Sequence, residues 1–567
     1  MRFSTVVSTL AVADGIAHAG FHSGRSWRHV GMQDRHIPRV KEPSLNREQQ
    51  SEKRTTTTNF PYLTNATAKF SVNGAAIPDV DWDVGESYAG LLPISKNPDE
   101  ERQLYFWFYP STNEMASDEI LIWLNGGPGC SSLEGVFQEN GPWTWRYGTY
   151  RPVKNPWSWT NLTNVVWVEQ PVGTGFSQGT PTATGEQDLA EQFLGFWENF
   201  VDTFNLKGRK VYIAGESYAG FYVPYIADAM FNKNDTSTYY NLEATMIYDP
   251  TLLNAIPEEQ IPSVPFVEYW KGLFPFNDSF VEQIHNISDS CGYTDYLAKY
   301  LTFPPPGPHP SLTTLPGTDE RGYTTPDCDV FSLIYDAAIR LNPCWDIYQV
   351  ATTCPMLWDN LGFPGSQAYI PEGATIYFNR TDVQKAINAP IGEWTTCSTN
   401  PVFINGTDTA DAPSLTVLPS VIERSKRTII GHGALDMIMM ANGTLLTIQN
   451  MTWHNAQGFQ TKPTDPFYVP YHNELSDSSV AGSGVMGTTH TERNLTFVYI
   501  NLSGHMVPQY APSASYRTLE YLLGRIESLT STEPFTTQKD VPQSMQPSGH
   551  GTAPPIKRQL GAMEMEF

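Results

Sequence analysis

Apolar residues in this chain gather into short β-rich runs that alternate with helical spacing. Leu104–Tyr109, Ile120–Leu124, Val165–Val168, Val211–Ala214, Thr245–Tyr248, Thr428–Ile430 and Thr496–Ile500 read as strands. Between the third and fourth, residues 185–204 place Leu189, Phe193, Phe196, Trp197 and Phe200 on one helix face. This alternation predicts an α/β fold, a mixed and mostly parallel sheet with helices on both sides. From about 250 to 420 the pattern breaks into a proline-rich stretch holding five of the six cysteines. That stretch predicts an insertion over the carboxyl edge of the sheet, a disulfide-stapled lid. The expected organisation is a core at 55–250, the insertion at 251–420 and a second part of the core at 421–527.

The ends read differently. Met1-Arg2, the apolar stretch Phe3–Ala13 and Ala17-His-Ala19 predict a signal peptide over 1–19, although Asp14 interrupts the end of that stretch. Residues 20–54 are basic, lack periodicity and end in Lys53-Arg54, the pattern of a pro-segment or of a disordered extension. Residues 528–567 are rich in Pro, Ser, Thr, Gln and Gly and predict a disordered tail. No apolar run is long enough to span a bilayer, and the tail lacks the apolar stretch of a lipid-anchor signal. Asn-x-Ser/Thr acceptors stand at Asn65, Asn161, Asn234, Asn277, Asn286, Asn379, Asn405, Asn442, Asn450, Asn494 and Asn501, so a secreted glycoprotein is expected, with a vacuole-like compartment as the alternative. The net charge of −24 disfavours nucleic acid and anionic membrane as partners. Six cysteines in a secreted chain predict three disulfides.

The chemistry starts at Val211-Tyr-Ile-Ala-Gly215-Glu-Ser217-Tyr-Ala-Gly220, an apolar strand entering a small-residue turn and then a helix. Such a turn pushes a serine hydroxyl out at the carboxyl end of a sheet, so Ser217 is the candidate nucleophile. The same hexapeptide occurs at 85–90, but there Leu91-Leu-Pro93-Ile follows and no helix is predicted; Ser87 is assigned to an edge strand or hairpin. In the second copy Pro224 is expected near the first helical turn, where proline is tolerated. The strict elbow pattern has glycine where this chain has Ala219. A serine nucleophile needs a base and an acid that orients the base. His505 follows the strand 496–500 through a short loop, and Asp436 follows 428–430 likewise. The order Ser217, Asp436, His505 is that of the α/β-hydrolase fold. His432 is the rival base, otherwise a loop histidine. The amide of Tyr218 supplies one oxyanion-hole donor, and the loop Asn125-Gly-Gly-Pro-Gly-Cys-Ser-Ser132 supplies the other through Gly127. A phosphate-cradling role for that loop is disfavoured, because no Lys or Arg lies nearby.

These residues carry a resemblance. Asn125–Ser132 with Glu139-Asn-Gly-Pro142, Glu169-Gln-Pro-Val-Gly-Thr-Gly-Phe-Ser177, Gly215–Gly220 and Gly504-His-Met-Val-Pro508, in this order, resemble the serine carboxypeptidases from about Tyr88 to Arg525. In that family Ala219 is usual. The resemblance implies release of C-terminal residues from peptides through an acyl-enzyme, with no cofactor or metal. It implies that the substrate carboxylate is held by hydrogen bonds from Trp123, Asn125, Glu139 and Glu216. Two glutamates facing a carboxylate cannot all be ionised, so peptide affinity is expected to be best at acidic pH. The rival role for these glutamates is to pair with helix N-termini. It also implies a Cys130–Cys397 bridge; Cys291, Cys328, Cys344 and Cys354 could then pair nested, 291 with 354 and 328 with 344. Two departures stand out: Gly433-Ala-Leu-Asp436 lacks the family's first acid, and Ile247-Tyr-Asp249-Pro250 replaces Gly-Asn-Gly. Both are expected at the pocket wall. Glu134 and Met506 are candidates for the leaving-residue pocket, Glu134 favouring a basic residue unless it is a solvated helix-start acid. An acyltransferase or esterase could use the same triad. A catalytically dead glycoprotein would tolerate loss of Ser217, Asp436 or His505, and a zinc carboxypeptidase is disfavoured because no His-x-x-Glu pair occurs.

Overall fold

The computed structural model describes residues 60–362, 371–474 and 480–538. The expected signal peptide and pro-segment, and most of the expected tail, lie outside these residues. The main sheet has eleven strands: β1 (Ser71–Val72), β2 (Ser87–Pro93), β3 (Gln103–Tyr109), β4 (Glu119–Leu124), β5 (Val165–Glu169), β6 (Lys210–Glu216), β7 (Asn241–Tyr248), β8 (Arg427–Gly433), β9 (Asp465–Val469), β10 (Gly484–Glu492) and β11 (Leu495–Ile500). Their spatial order is β1-β2-β3-β5-β4-β6-β7-β8-β11-β10-β9. The six central strands, β5 to β11 in that order, are parallel, and antiparallel strands close both sides. Every predicted strand is present.

Alternation explains why these runs are strands. In β4, Leu121 and Trp123 enter the aromatic core on one face, while Ile120, Ile122 and Leu124 enter the other. A strand buried on both faces has to be mostly apolar, and the polar side chains that the central runs do bury find partners, as Thr245 does with Thr428 and His432 with Thr444. The predicted helix is α1 (Glu186–Phe204). It sets Phe200 and Phe204 edge-on against Phe106 and Phe108, with ring centroids 5.2–5.8 Å apart.

Next come α2 (Ala219–Lys233) and the insertion helices α3 (Ile261–Tyr269), α4 (Asp278–Ser290), α5 (Tyr293–Tyr300) and α6 (Val330–Leu341). The insertion helices form a third core with Ile430 of β8, Phe497 of β11 and the Met437–Met440 segment. Cys130–Cys397 is present. The nested pairing is not: Cys291 bridges Cys328 and Cys344 bridges Cys354. Cys291 ends α4 beside Gly317, whose amide bonds its carbonyl, and this turn brings Cys328 close; Cys344 and Cys354 clip the loop that follows α6.

Two further expectations need correction. Pro224 lies in the second turn of α2 rather than the first, because the helix begins at Ala219, directly after the serine turn. Residues 528–538 are folded, since Leu529 and Phe535 are buried and Arg517 donates to the carbonyls of Ser531 and Glu533.

Candidate active site

Parallel pairing brings the carboxyl ends of five strands to one edge. Gly215 pairs with Leu124, Glu216 with Tyr248, Tyr248 with Gly431, and Gly433 with Ile500. Each partner is followed within a few residues by a residue singled out from sequence: Asn125, Ser217, Asp249, Asp436 and His505.

Ser217 leaves β6 with φ 62°, the left-handed region that a non-glycine residue rarely enters. Its amide donates to Tyr248 O at 2.9 Å and its carbonyl accepts from Thr251 N at 3.1 Å, so the 248–251 turn grips it from both sides. That turn also carries Asp249. One oxygen of Asp249, one of Asp436 and one nitrogen of His505 lie within 4.8 Å of one another. His505 Nδ1 meets Asp436 Oδ2 at 2.7 Å, and Asp436 Oδ1 accepts from Ile438 N at 2.9 Å. With Nδ1 committed to Asp436, Nε2 is the ring nitrogen left to act as a base. The insertion fixes the base as well: His505 N donates to Tyr348 O at 2.8 Å, and the Tyr348 ring packs against the imidazole.

The glycine loop stands against the serine turn. A Cβ on Gly126 would sit 2.5 Å from Tyr218 N, so only glycine lets the two backbones meet. Gly127 follows with φ 113°. The glycine loop therefore closes at Gly126 on the Tyr218 amide and the Ser217 side chain, with Gly127 next in the chain.

Trp123, Asn125, Glu139 and Glu216 form a single buried network. Trp123 Nε1 donates to Asn125 Oδ1 at 2.7 Å; Asn125 Nδ2 donates to Glu139 Oε1 and Glu216 Oε1, each at 2.9 Å. The two carboxyls share the Asn125 amide, and their other oxygens, Glu139 Oε2 and Glu216 Oε2, have no partner, so the buried pair lacks the donors that two charges would need. Burial pushes Glu139 up to about 7. Burial and then the Glu139 charge hold Glu216 well above the usual carboxylate range. Neither glutamate serves a helix N-terminus.

Glu134 is buried, not a solvated helix-start acid, and burial followed by repulsion from Glu139 and Asp359 pushes it well above the usual carboxylate range. Met506 is buried beside His505. His432 is no loop residue: it lies inside β8, its Nε2 pairs with Thr444 Oγ1 at 2.7 Å, and burial lowers it to about 3. Asp249 and Ala434, the two departures, are buried as well, and Asp249 has an oxygen within 4.8 Å of Asp436 and His505. Sequence reasoning treated Asp249 only as a departure; its signal was an acid at the carboxyl end of a central parallel strand. Tyr348 and Asp408, which accepts from Tyr218 Oη at 2.6 Å, carried no local signal.

Of the acceptor asparagines, Asn65, Asn161, Asn234, Asn277, Asn286, Asn494 and Asn501 are exposed. Asn379, Asn442 and Asn450 are half-buried, and Asn405 lies on the turn Ile404–Gly406. Asn379 bonds both backbone groups of Trp394, and Asn277 caps α4 by accepting from Phe280 N. No described helix is long and apolar enough to cross a membrane.

Residues 78–525 match the family model described as serine carboxypeptidase. A protein of Arthroderma benhamiae named "Probable serine carboxypeptidase" is 55% identical, over 93% of this chain and 99% of the relative. The "Serine-type carboxypeptidase F" of Aspergillus niger is 43% identical, over 93% of this chain and 100% of the relative. The crystal structure of Kex1Δp, a prohormone-processing carboxypeptidase from Saccharomyces cerevisiae, shares the fold with a TM-score of 0.62 at 21% identity, over 81% of this chain and 96% of that one. The chain belongs to the serine carboxypeptidase family and is a serine-type carboxypeptidase, a hydrolase of the α/β-hydrolase fold.

Proposed function

We propose that this protein releases C-terminal residues from peptides at acidic pH, with Ser217 as nucleophile, His505 as base and Asp436 as the acid that orients it. Ser217 Oγ attacks the scissile carbonyl while His505 Nε2 takes its proton, and the Tyr218 and Gly127 amides receive the oxyanion. His505 then passes the proton to the departing amine, which leaves as the free amino acid. Water, deprotonated by His505, hydrolyses the acyl-enzyme and restores Ser217.

The observation that carries this reading is the network of Trp123, Asn125, Glu139 and Glu216. Glu216 precedes the nucleophile directly, so a carboxylate bound to the network lies one residue from the reacting serine. No arginine or lysine takes part, and the charge of the substrate is met instead by protonated acid that Asn125 holds in place. Raising the pH removes that proton, turns a donor into a like charge, and weakens peptide binding. Glu134 and Met506 form the pocket for the leaving residue. Because Glu134 is neutral, it selects by hydrogen bonding rather than by ion pairing until a basic residue enters and draws its proton off. The proposed setting is outside the cell or in an acidic vacuole-like compartment.

The deciding experiment follows amino-acid release from a blocked dipeptide and from its C-terminal amide, at pH 4.5 and 7.5, with wild type and Ser217→Ala. Fast release from the free acid at pH 4.5, absent in the variant, is the expected result. Cleavage of an ester with peptides left intact, or acyl transfer to an alcohol, would instead assign the same triad to an esterase or acyltransferase.

A further inference from the structure

Asp249 lies completely buried just past the end of β7, with φ 44°. Its Oδ1 accepts from Gly433 N at 2.9 Å, and His432 Nδ1 stands 3.1 Å from the same oxygen but is misaligned for a hydrogen bond. Its Oδ2 has no protein donor. The carboxyl beside it is that of Asp436: one oxygen of each and one nitrogen of His505 lie within 4.8 Å of one another. The titratable groups around it are Asp436 from the loop after β8, His432 within β8, His505 from the loop after β11, Tyr499 of β11, Glu216 of β6 and Tyr248 of β7. None is an arginine or lysine.

Two buried carboxyls this close, with no permanent cation beside them, cannot both be ionised. Asp436 must be the charged one, since it faces the imidazole that becomes cationic during reaction. The proton therefore belongs on Asp249. We propose that Asp249 is a positioning residue that carries this proton and donates it in a hydrogen bond to Asp436, keeping Asp436 an oriented carboxylate in acid. The proposal rests on the triad assigned above.

The two acid pairs then divide the work. Glu139 and Glu216 need acid to stay protonated, while Asp436 needs its charge under the same conditions. Burial pushes Asp436 up toward protonation, and the hydrogen bonds it accepts from its neighbours pull it back down. Without the Asp249 donor, Asp436 is protonated at higher pH, His505 Nδ1 loses its acceptor and the base is no longer aimed at Ser217.

The test compares Asp249→Asn and Asp249→Ala in the full chain, measuring kcat and KM for the blocked dipeptide across the acid and neutral range. Asn keeps a donor, cannot ionise and tolerates the left-handed backbone. Asp249→Asn is expected to keep kcat and the acid limb of the profile while extending the alkaline limb. Asp249→Ala is expected to lower kcat roughly ten- to a hundredfold, the equivalent of one hydrogen bond to a charged group, with its acid limb moved upward and KM little changed. Equal loss in both variants would overturn the proposal, because the carboxylate itself would then be required. So would an Ala variant with the wild-type pH profile, which would mark a purely structural role. If Asp249→Ala does not fold, Asp249→Asn decides alone: retained kcat with an unmoved acid limb supports the proposal and lost kcat overturns it. Asp436→Asn separates the two levels, since full activity there would remove the triad itself, whereas normal Asp249 variants beside an impaired Asp436→Asn would remove only the proposal.

Discussion

Gly-Glu-Ser-Tyr-Ala-Gly occurs at 85–90 and at 215–220, and one sequence reaches two opposite ends. In the first copy Ser87 opens β2, and the chain runs on extended because antiparallel β3 continues alongside, Tyr88 against Phe108 and Ala89 against Trp107. Ser87 is sealed in the core and accepts from Trp107 Nε1 at 3.2 Å. In the second copy the parallel neighbours end at Leu124 and Tyr248, so the backbone has no ladder to follow past Glu216. It reverses at Ser217 and enters α2. The glutamates diverge too: Glu86 is half-exposed and accepts from Tyr62 N and Tyr88 Oη, whereas Glu216 is sealed against Glu139 and Asn125. The hexapeptide supplies small residues and a hydroxyl; the ends of the neighbouring strands decide whether they become chemistry.

Replacing the two serines breaks this comparison most sharply. Ser217→Ala should lower kcat by roughly a millionfold, as loss of a triad nucleophile does. Ser87→Ala should leave kcat unchanged and cost about 1 kcal/mol in thermal unfolding, because Trp107 Nε1 loses an acceptor. Comparable losses of kcat in both would mean that the second serine turn is not the reacting one.

Much of this was legible in the sequence, for a physical reason. The central strands announce themselves because burial on both faces leaves few polar positions, and the residues after them follow by counting. The proposed nucleophile Ser217, the glycine loop, Asp436 and His505 are therefore all placed at the strand ends by local pattern. What was not readable depends on contacts between distant segments. Cys291 gave no sign that its partner was Cys328, because the choice rests on how the 317 turn folds back on α4. His432 looks like a loop histidine until β8 is seen to run as far as Gly433. Asp249 read only as a departure because the sequence does not say that Asp436 and His505 stand beside it. Burial of the 528–538 segment likewise depends on Arg517 and Glu520, remote from any tail signal.

A smaller effect separates the glutamates by substrate affinity. Glu216→Gln keeps the shape of the network but cannot ionise, so its peptide KM should vary less than that of wild type between pH 4.5 and 7.5. Glu86→Gln should keep the wild-type KM profile, since Glu86 faces Tyr62 and Tyr88 far from the cleft. A wild-type pH dependence persisting in Glu216→Gln would assign the titration to another group.

The smallest effect lies in the stability of the whole molecule. Burial raises Glu139 to about 7, holds Glu216 well above the usual carboxylate range and raises half-buried Glu86. A carboxyl raised on folding binds its proton more tightly in the native state, so the native state holds more protons and stability falls as pH rises. The stabilisation is fully present below the unfolded value of about 4.3 and is lost as pH climbs through the folded value. For Glu139 the window is therefore from about 4.3 to about 7. The melting temperature should peak in acid and fall toward neutrality, the order in which an acid-working enzyme would need it. Glu216→Gln should flatten that fall visibly and Glu86→Gln only slightly, because solvent already screens the charge of Glu86. Equal flattening by both would mean that the two glutamates are equally solvated, and the contrast between the two copies of the hexapeptide would then rest on the serines alone.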